Sequence, residues 1–123
     1  MKKAVIYAKH IYKRRNQKSA YEQYMYAEEY ARENNIEVIE KCFDCVPTTN
    51  SVCVQFERLL KDCENAEWNT ILVYSITLFG RDLDKTLKLK KQLKAKNINL
   101  VFMDWDKNEL VKLLGGDKLW KPQ

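Results

Sequence analysis

Between Lys9 and Lys18 the chain reads KHIYKRRNQK, with five formal positive charges and no acid. Lys85 to Lys96, KTLKLKKQLKAK, carries six lysines and again no acid. Ammonium and guanidinium groups crowded in this way attract phosphate oxygens, so the chemistry they suit is binding a polyanion such as nucleic acid. The acidic stretch Ser19 to Glu40 lies between them and confines the positive potential to two patches. The plainer alternative is a basic loop plus a solvated lysine face on a helix, and charge patterning alone does not separate the two. Tyr12, beside Lys13, Arg14 and Arg15, adds a ring on which a base can stack.

Other reactive residue types are present in weaker arrangements. Ser75 and Thr77 carry hydroxyls near Arg81, but a nucleophile needs a positioned base and the sequence names none. His10 is the single histidine, and one imidazole without a partner reads as an exposed loop residue sooner than a phosphate contact. Cys42-x-x-Cys45, Cys53 and Cys63 do not have the paired spacing of a zinc ribbon, so no metal site is expected. A redox pair would open a helix, whereas Cys42 and Cys45 end a strand-like run. Thiols in a reducing compartment account for the four.

These residues must be held by something. The chain of 123 residues suits one domain with one core. With 46% hydrophobic and 32% charged residues it reads as globular rather than disordered. Its longest apolar runs, such as Ile98 to Met103, are too short to span a bilayer, and no secretory signal follows Met1, so the cytoplasm is the expected location and a membrane is not an expected partner. Strands are expected at Lys3–Ala8, Ile36–Phe43, Thr70–Tyr74 and Ile98–Met103. Helices are expected from Ala20 to Glu33, opened by Ser19 with Glu22 three residues on, from Val54 to Cys63, from about Leu83 through Leu93, and from Lys107 to Leu114 before Gly115-Gly116. Asp44–Ser51 and Ser75–Gly80 read as loops. Strands alternating with helices imply a three-layer α/β domain, a mostly parallel sheet of four or five strands with helices on both faces. Sites in such sheets gather beyond the carboxyl ends of the strands, here Lys9-His10-Ile11, Asp44-Cys45, Ser75 to Arg81 and Asp104-Trp105.

In that order the segments resemble the catalytic domain of serine recombinases, the resolvases and invertases. The family's first strand reads Tyr-x-Arg-x-Ser, and this chain has Tyr7-Ala8-Lys9-His10-Ile11. The family's Ser-x-x-x-Gln helix start corresponds to Ser19 through Gln23, and its acidic turn to Asp44. Its Arg-Pro pair becomes Cys53-Val54, followed by Phe56-Glu57-Arg58-Leu59-Leu60-Lys61-Asp62. Its Asp-Arg-x-x-Arg becomes Thr77-Leu78-Phe79-Gly80-Arg81. A signalling-receiver sheet has a related order but needs acids where Lys9-His10-Ile11 stand.

The resemblance implies a resolvase-like domain over residues 1–105 and a short helix and tail over 106–123, without the helix-turn-helix unit that family members usually add. It implies strand exchange on DNA, in which a serine hydroxyl attacks a phosphodiester while arginines neutralise its oxygens, with no cofactor and no metal. At the positions that would do this work stand Lys9, Ile11, Thr77, Leu78 and Arg81, and only Arg81 keeps the family's residue. Ile11 has no nucleophilic atom, and Lys9 keeps charge without the two-pronged guanidinium geometry. The expectation is therefore a catalytically inert relative from a mobile-element or phage context, which associates with DNA through Lys9, Arg14, Arg15, Lys18 and Arg81. The partners the resemblance implies, besides DNA, are a second copy in a homodimer or an active recombinase. The alternative is a scaffold partner of an active recombinase that binds no DNA.

Overall fold

The computed structural model describes residues 2–79 and 83–106, with side chains through Asp104. Its elements run β1 (Lys2–Ile11), α1 (Ala20–Glu33), β2 (Ile36–Val46), α2 (Val54–Asp62), β3 (Thr70–Val73), a 3-10 helix (Ile76–Phe79), α3 (Leu83–Ala95), β4 (Asn99–Phe102) and α4 (Met103–Asp106). The four strands form one parallel sheet in the order β2-β1-β3-β4. The order reverses direction between β1 and β3, and a crevice opens beyond the carboxyl ends of strands at such a point.

Each helix covers the sheet for a local reason. Ser19 and Glu22 form a reciprocal capping box at the start of α1, and Gln23, Ala27 and Ala31 recur on its inner face. The two alanines let the helix approach Ala4, Ile6 and Leu72 of the sheet closely. Asn34 closes the helix and Asn35 takes the left-handed backbone (φ 56°) that turns the chain into β2. On the opposite face Phe56 and Leu59 of α2 and Leu93 of α3 pack against Val5, Tyr7, Ile71, Val73, Leu100 and Phe102. Burying side chains of this size contributes about 1.5–3 kcal/mol each.

One irregularity matters for the site. Between the pairs Ala4–Val38 and Val5–Glu40, Ile39 is an extra residue in β2. As a result Ile36 and Val38 face α1, while Cys42 and Val46, also even-numbered, face α2.

The α1 expectation holds to the residue. The strands β1 and β2 run further than expected, because Lys9, His10 and Ile11 pair with Asp44, Cys45 and Val46. Asp44 to Val46 is therefore strand rather than loop, and His10 is a half-buried strand residue rather than an exposed loop one. Ile76–Phe79 is a 3-10 helix where a loop was expected. The expected helix 107–114, Gly115-Gly116 and the segment Gly80-Arg81-Asp82 lie outside the described residues. Among the described residues no helix is long and apolar enough to cross a membrane.

Candidate functional site

Besides its pairing with β2, the carboxyl end of β1 is held by two glutamines. The buried amide of Gln23 accepts from the Lys9 N–H (3.1 Å) and donates to the Lys9 carbonyl (2.9 Å) and the Lys18 carbonyl (3.1 Å). This explains structurally why a glutamine stands four residues into the first helix: it completes the backbone pairing of β1 where the sheet ends. Gln17 does the same two residues further on, at Ile11. Its Oε1 accepts from the Ile11 N–H (3.1 Å), and its Nε2 donates to the carbonyls of Ile11 (2.6 Å) and Arg14 (2.9 Å). Asn16, at φ 56°, lets the loop turn back on itself.

That clamp aims Arg14. Its Nη2 donates to the Thr77 carbonyl at 3.2 Å, so the side chain spans the crevice from the β1–α1 loop to the 3-10 helix after β3. This is its one hydrogen bond among the described residues, and a guanidinium has five N–H donors in a planar fork. Arg15, Lys13 and Tyr12 are exposed beside it, with Tyr12 at 58%. Lys18 is half-buried; its ammonium lies over the Tyr26 ring at 5.5 Å and 3.9 Å from Glu22.

The positions expected to bear chemistry have different surroundings. Ile11 is 3% exposed and belongs to the core on the α2 side, and Leu78 is 4% exposed in the same cluster. Lys9 is 2% exposed; its Nζ donates to the Thr49 carbonyl (3.0 Å) and sits 5.6 Å from the centre of the Phe79 ring. A phosphate can reach this ammonium only if the Thr49 segment moves. Cys53 is half-buried and points its thiol at the Ser51 carbonyl (3.4 Å). Arg81 lies outside the described residues.

Two carboxylates organise the strand ends. Asp44 accepts from the Tyr7 hydroxyl (2.7 Å) and from the Gln55 and Phe56 N–H groups (2.9 and 3.0 Å). Those two amides are the second and third of α2, whose own preceding residue, Cys53, makes no side-chain cap. Asp44 thus caps α2 from the neighbouring strand. Burial, then the hydrogen bond to Asp44 and the nearby Cys53 thiol, hold the Tyr7 phenol well above its ordinary range, so it remains a donor. Asp104 accepts from the Ser75 hydroxyl (2.6 Å) and the Ile76 N–H (3.1 Å), and Ser75 Oγ lies 2.8 Å from Thr77 Oγ1. The Ser75 hydroxyl therefore has a carboxylate partner, contrary to the expectation of none. Asp104 sits 29 residues away in sequence, so only the pairing of β3 with β4 reveals it.

The cysteines are dispersed. Cys42 and Cys63 are buried on the α2 side, whereas Cys45 is exposed, because residues three apart on a strand face opposite ways. Burial, then the charge of Glu40, pushes the Cys42 thiol up to about 11. Among the described residues no group of three or more His, Cys, Asp or Glu is arranged to hold a metal ion.

Comparison with known proteins gives a family and a fold. The family described as Resolvase, N terminal domain, matches residues 4–114. The fold is similar to the N-terminal catalytic domain of TP901-1 integrase, with a TM-score of 0.72 at 23% identity over 92% of this chain and 88% of that one. It is similar to the C-terminal catalytic domain of ISC1926 TnpA, an IS607-like serine recombinase, with a TM-score of 0.65 at 18% identity, covering 91% and 80%. A resolvase family site-specific recombinase from Streptococcus pneumoniae gives a TM-score of 0.65 at 17% identity, covering 93% and 83%. No curated protein matches.

Proposed function

The chain belongs to the resolvase family, and from that premise we propose that it associates with DNA through the β1–α1 loop and performs no strand exchange of its own. The observation that carries the reading is Arg14. Among the described residues its guanidinium is tethered by one bond at the switch point of the sheet, between the loop and the 3-10 helix. Leu78, in the place of a family arginine, is buried in the core, while Arg14 brings a guanidinium to the adjoining Thr77 from a different element. With Arg15, Lys13 and Lys18 on the same loop, the donors suit phosphate oxygens, which bind arginine with two parallel hydrogen bonds. Lys9 keeps a mainly structural part, holding the Thr49 segment against Phe79.

Inertness rests on chemistry. Attack on a phosphodiester needs an oxygen that can lose its proton, and Ile11 presents hydrocarbon packed into the core. Each missing preorganised donor removes about 3–4 kcal/mol of transition-state stabilisation. The Ser75–Asp104 pair reads as the cap of the 3-10 helix, because the two carboxylate oxygens are taken by Ser75 and the Ile76 N–H.

The test is fluorescence anisotropy with a labelled duplex over a range of salt. Binding that weakens steeply with salt is expected. Arg14→Ala is expected to reduce the slope of log affinity against log salt by about one, as one lost phosphate contact does. No affinity even at low salt would remove the DNA reading and leave the scaffold alternative. A covalent protein–DNA adduct formed with nicked or supercoiled DNA would overturn inertness.

A further inference from the structure

Two helices on opposite faces of the sheet, α1 and α3, carry opposite charge. α1 on one face carries Glu22, Glu28, Glu29 and Glu33 against the single Arg32. α3 on the other face carries Lys85, Lys88, Lys90, Lys91 and Lys94 against the single Asp84. The outer side of α1 is also where large apolar side chains are left in solvent: Tyr21 is 70% exposed, Met25 51% and Tyr26 40%. Met25 and Tyr26 line a shallow depression with Glu22, Glu28, Glu29 and Arg32. Tyrosine and methionine at the centre with charges at the rim is the composition of a protein interface rather than of ordinary solvated surface.

The chain already shows what this helix accepts. Lys18 lies over Tyr26 at 5.5 Å and Lys41 over Tyr24 at 5.8 Å, and Lys41 also pairs with Glu28 at 3.5 Å. Lysine ammonium groups on tyrosine faces, anchored by glutamates, are thus the recurring contact of α1. The exposed side of α3 offers Lys88 and Lys91 as that kind of donor, on stems long enough to lie along an apolar centre.

We propose that the α1 face is a docking surface for the α3 face of a second copy of this chain. The argument is charge complementarity together with the lysine-on-tyrosine contacts, and it goes beyond the DNA reading and needs no DNA. Because the two surfaces lie on opposite faces of the same sheet, the contact is head-to-tail. Such a contact leaves a free donor face and a free acceptor face at the ends, so copies add in series instead of closing into a twofold dimer. The acidic α1 face also repels a phosphate backbone, which leaves the β1–α1 loop as the approach for DNA.

Sedimentation velocity of the full chain without DNA, at low and high ionic strength, tests this. The expected result is a concentration-dependent series of species at low salt that dissolves at high salt. The double variant Glu29→Lys with Glu33→Lys, and separately Lys88→Glu with Lys91→Glu, should each associate about tenfold or more weakly, since like charges then face one another. Mixing the two variants one to one should restore association, and Tyr21→Ala with Met25→Ala should weaken it without changing its salt dependence. These are surface positions, and circular dichroism checks that each variant is folded. A chain that stays monomeric at low salt overturns the proposal, as does a discrete dimer indifferent to the substitutions. Variants that both lose association and do not recover on mixing also overturn it, since the two faces then do not meet each other. Each of these results leaves the DNA titration of the unmodified chain to stand or fall separately.

Discussion

Asp44 and Asp104 occupy matching places, each at or just past the carboxyl end of a strand and each accepting a side-chain hydroxyl and backbone N–H. They differ in how far water reaches them. Asp44 is 7% exposed, collects three donors, and locks α2 to β1 and β2. Asp104 is half-buried, collects Ser75 and Ile76, and connects through Ser75 to the exposed Thr77. A carboxylate beyond the strand ends of such a sheet can therefore be framework in one place and an adjustable surface device in another. Solvent decides which, because buried donors left without an acceptor cannot be rescued by water.

The comparison breaks if the two sites cost the same to remove. Asp44→Ala should destabilise the fold by about 3 kcal/mol in urea titration, because it orphans the Tyr7 hydroxyl and two amides of α2 at once. Asp104→Ala should cost about half that or less, since the Ser75 hydroxyl keeps Thr77 Oγ1 as a partner and only the Ile76 N–H is left without one. Equal losses would mean that exposure does not separate them. Tyr7→Phe should cost about 1.5 kcal/mol, the range for a buried hydrogen bond to a charged group, and should leave the two α2 amides bonded to Asp44. Ser75→Ala is expected to cost about 0.5–1 kcal/mol by the same measurement.

A pH series sharpens the contrast, because the α2 side also buries groups that resist ionisation. The folded chain holds the Cys42 proton up to about 11, above the 9.0 of an unperturbed thiol. The stability this contributes is complete below the unfolded value and is lost as pH rises from there through the folded value. Tyr7 acts with the same sign at still higher pH. Melting temperature should therefore fall on the alkaline side, and Cys42→Ala should flatten the first part of the fall. A fall unchanged by that substitution would place the cause elsewhere.

What could be read from the chain alone follows the reach of the interactions. The bounds of α1 were legible because Ser19, Glu22 and Asn34 signal locally, within one turn. The parallel α/β plan was legible from alternating patterns. The last three residues of β1 and β2 were not, since Lys9, His10, Asp44 and Cys45 are not strand-favouring types. They are strand because each edge is completed by another segment, Gln23 for Lys9 and α2 for Asp44. The family positions Ile11 and Leu78 were legible as departures from a pattern, but their burial was not. The Arg14–Thr77 bridge joins residues 63 apart, and no local signal announces it. Gln17, which sets the loop that aims Arg14, is an ordinary polar residue until the fold places its amide against Ile11.

The extra residue in β2 has a consequence for descent. Upstream of Ile39 the even-numbered side chains belong to one core, and downstream they belong to the other. A slip of one residue normally turns a whole strand inside out. Here the bulge absorbs it, so the two halves of β2 are free to drift in length relative to each other. Relatives that gained or lost one residue near this point would keep Asp44 beneath α2 while their hydrophobic alternation fell out of step with this chain. Strand-by-strand comparison across the family should therefore be anchored separately at Val38 and at Cys42, never carried through.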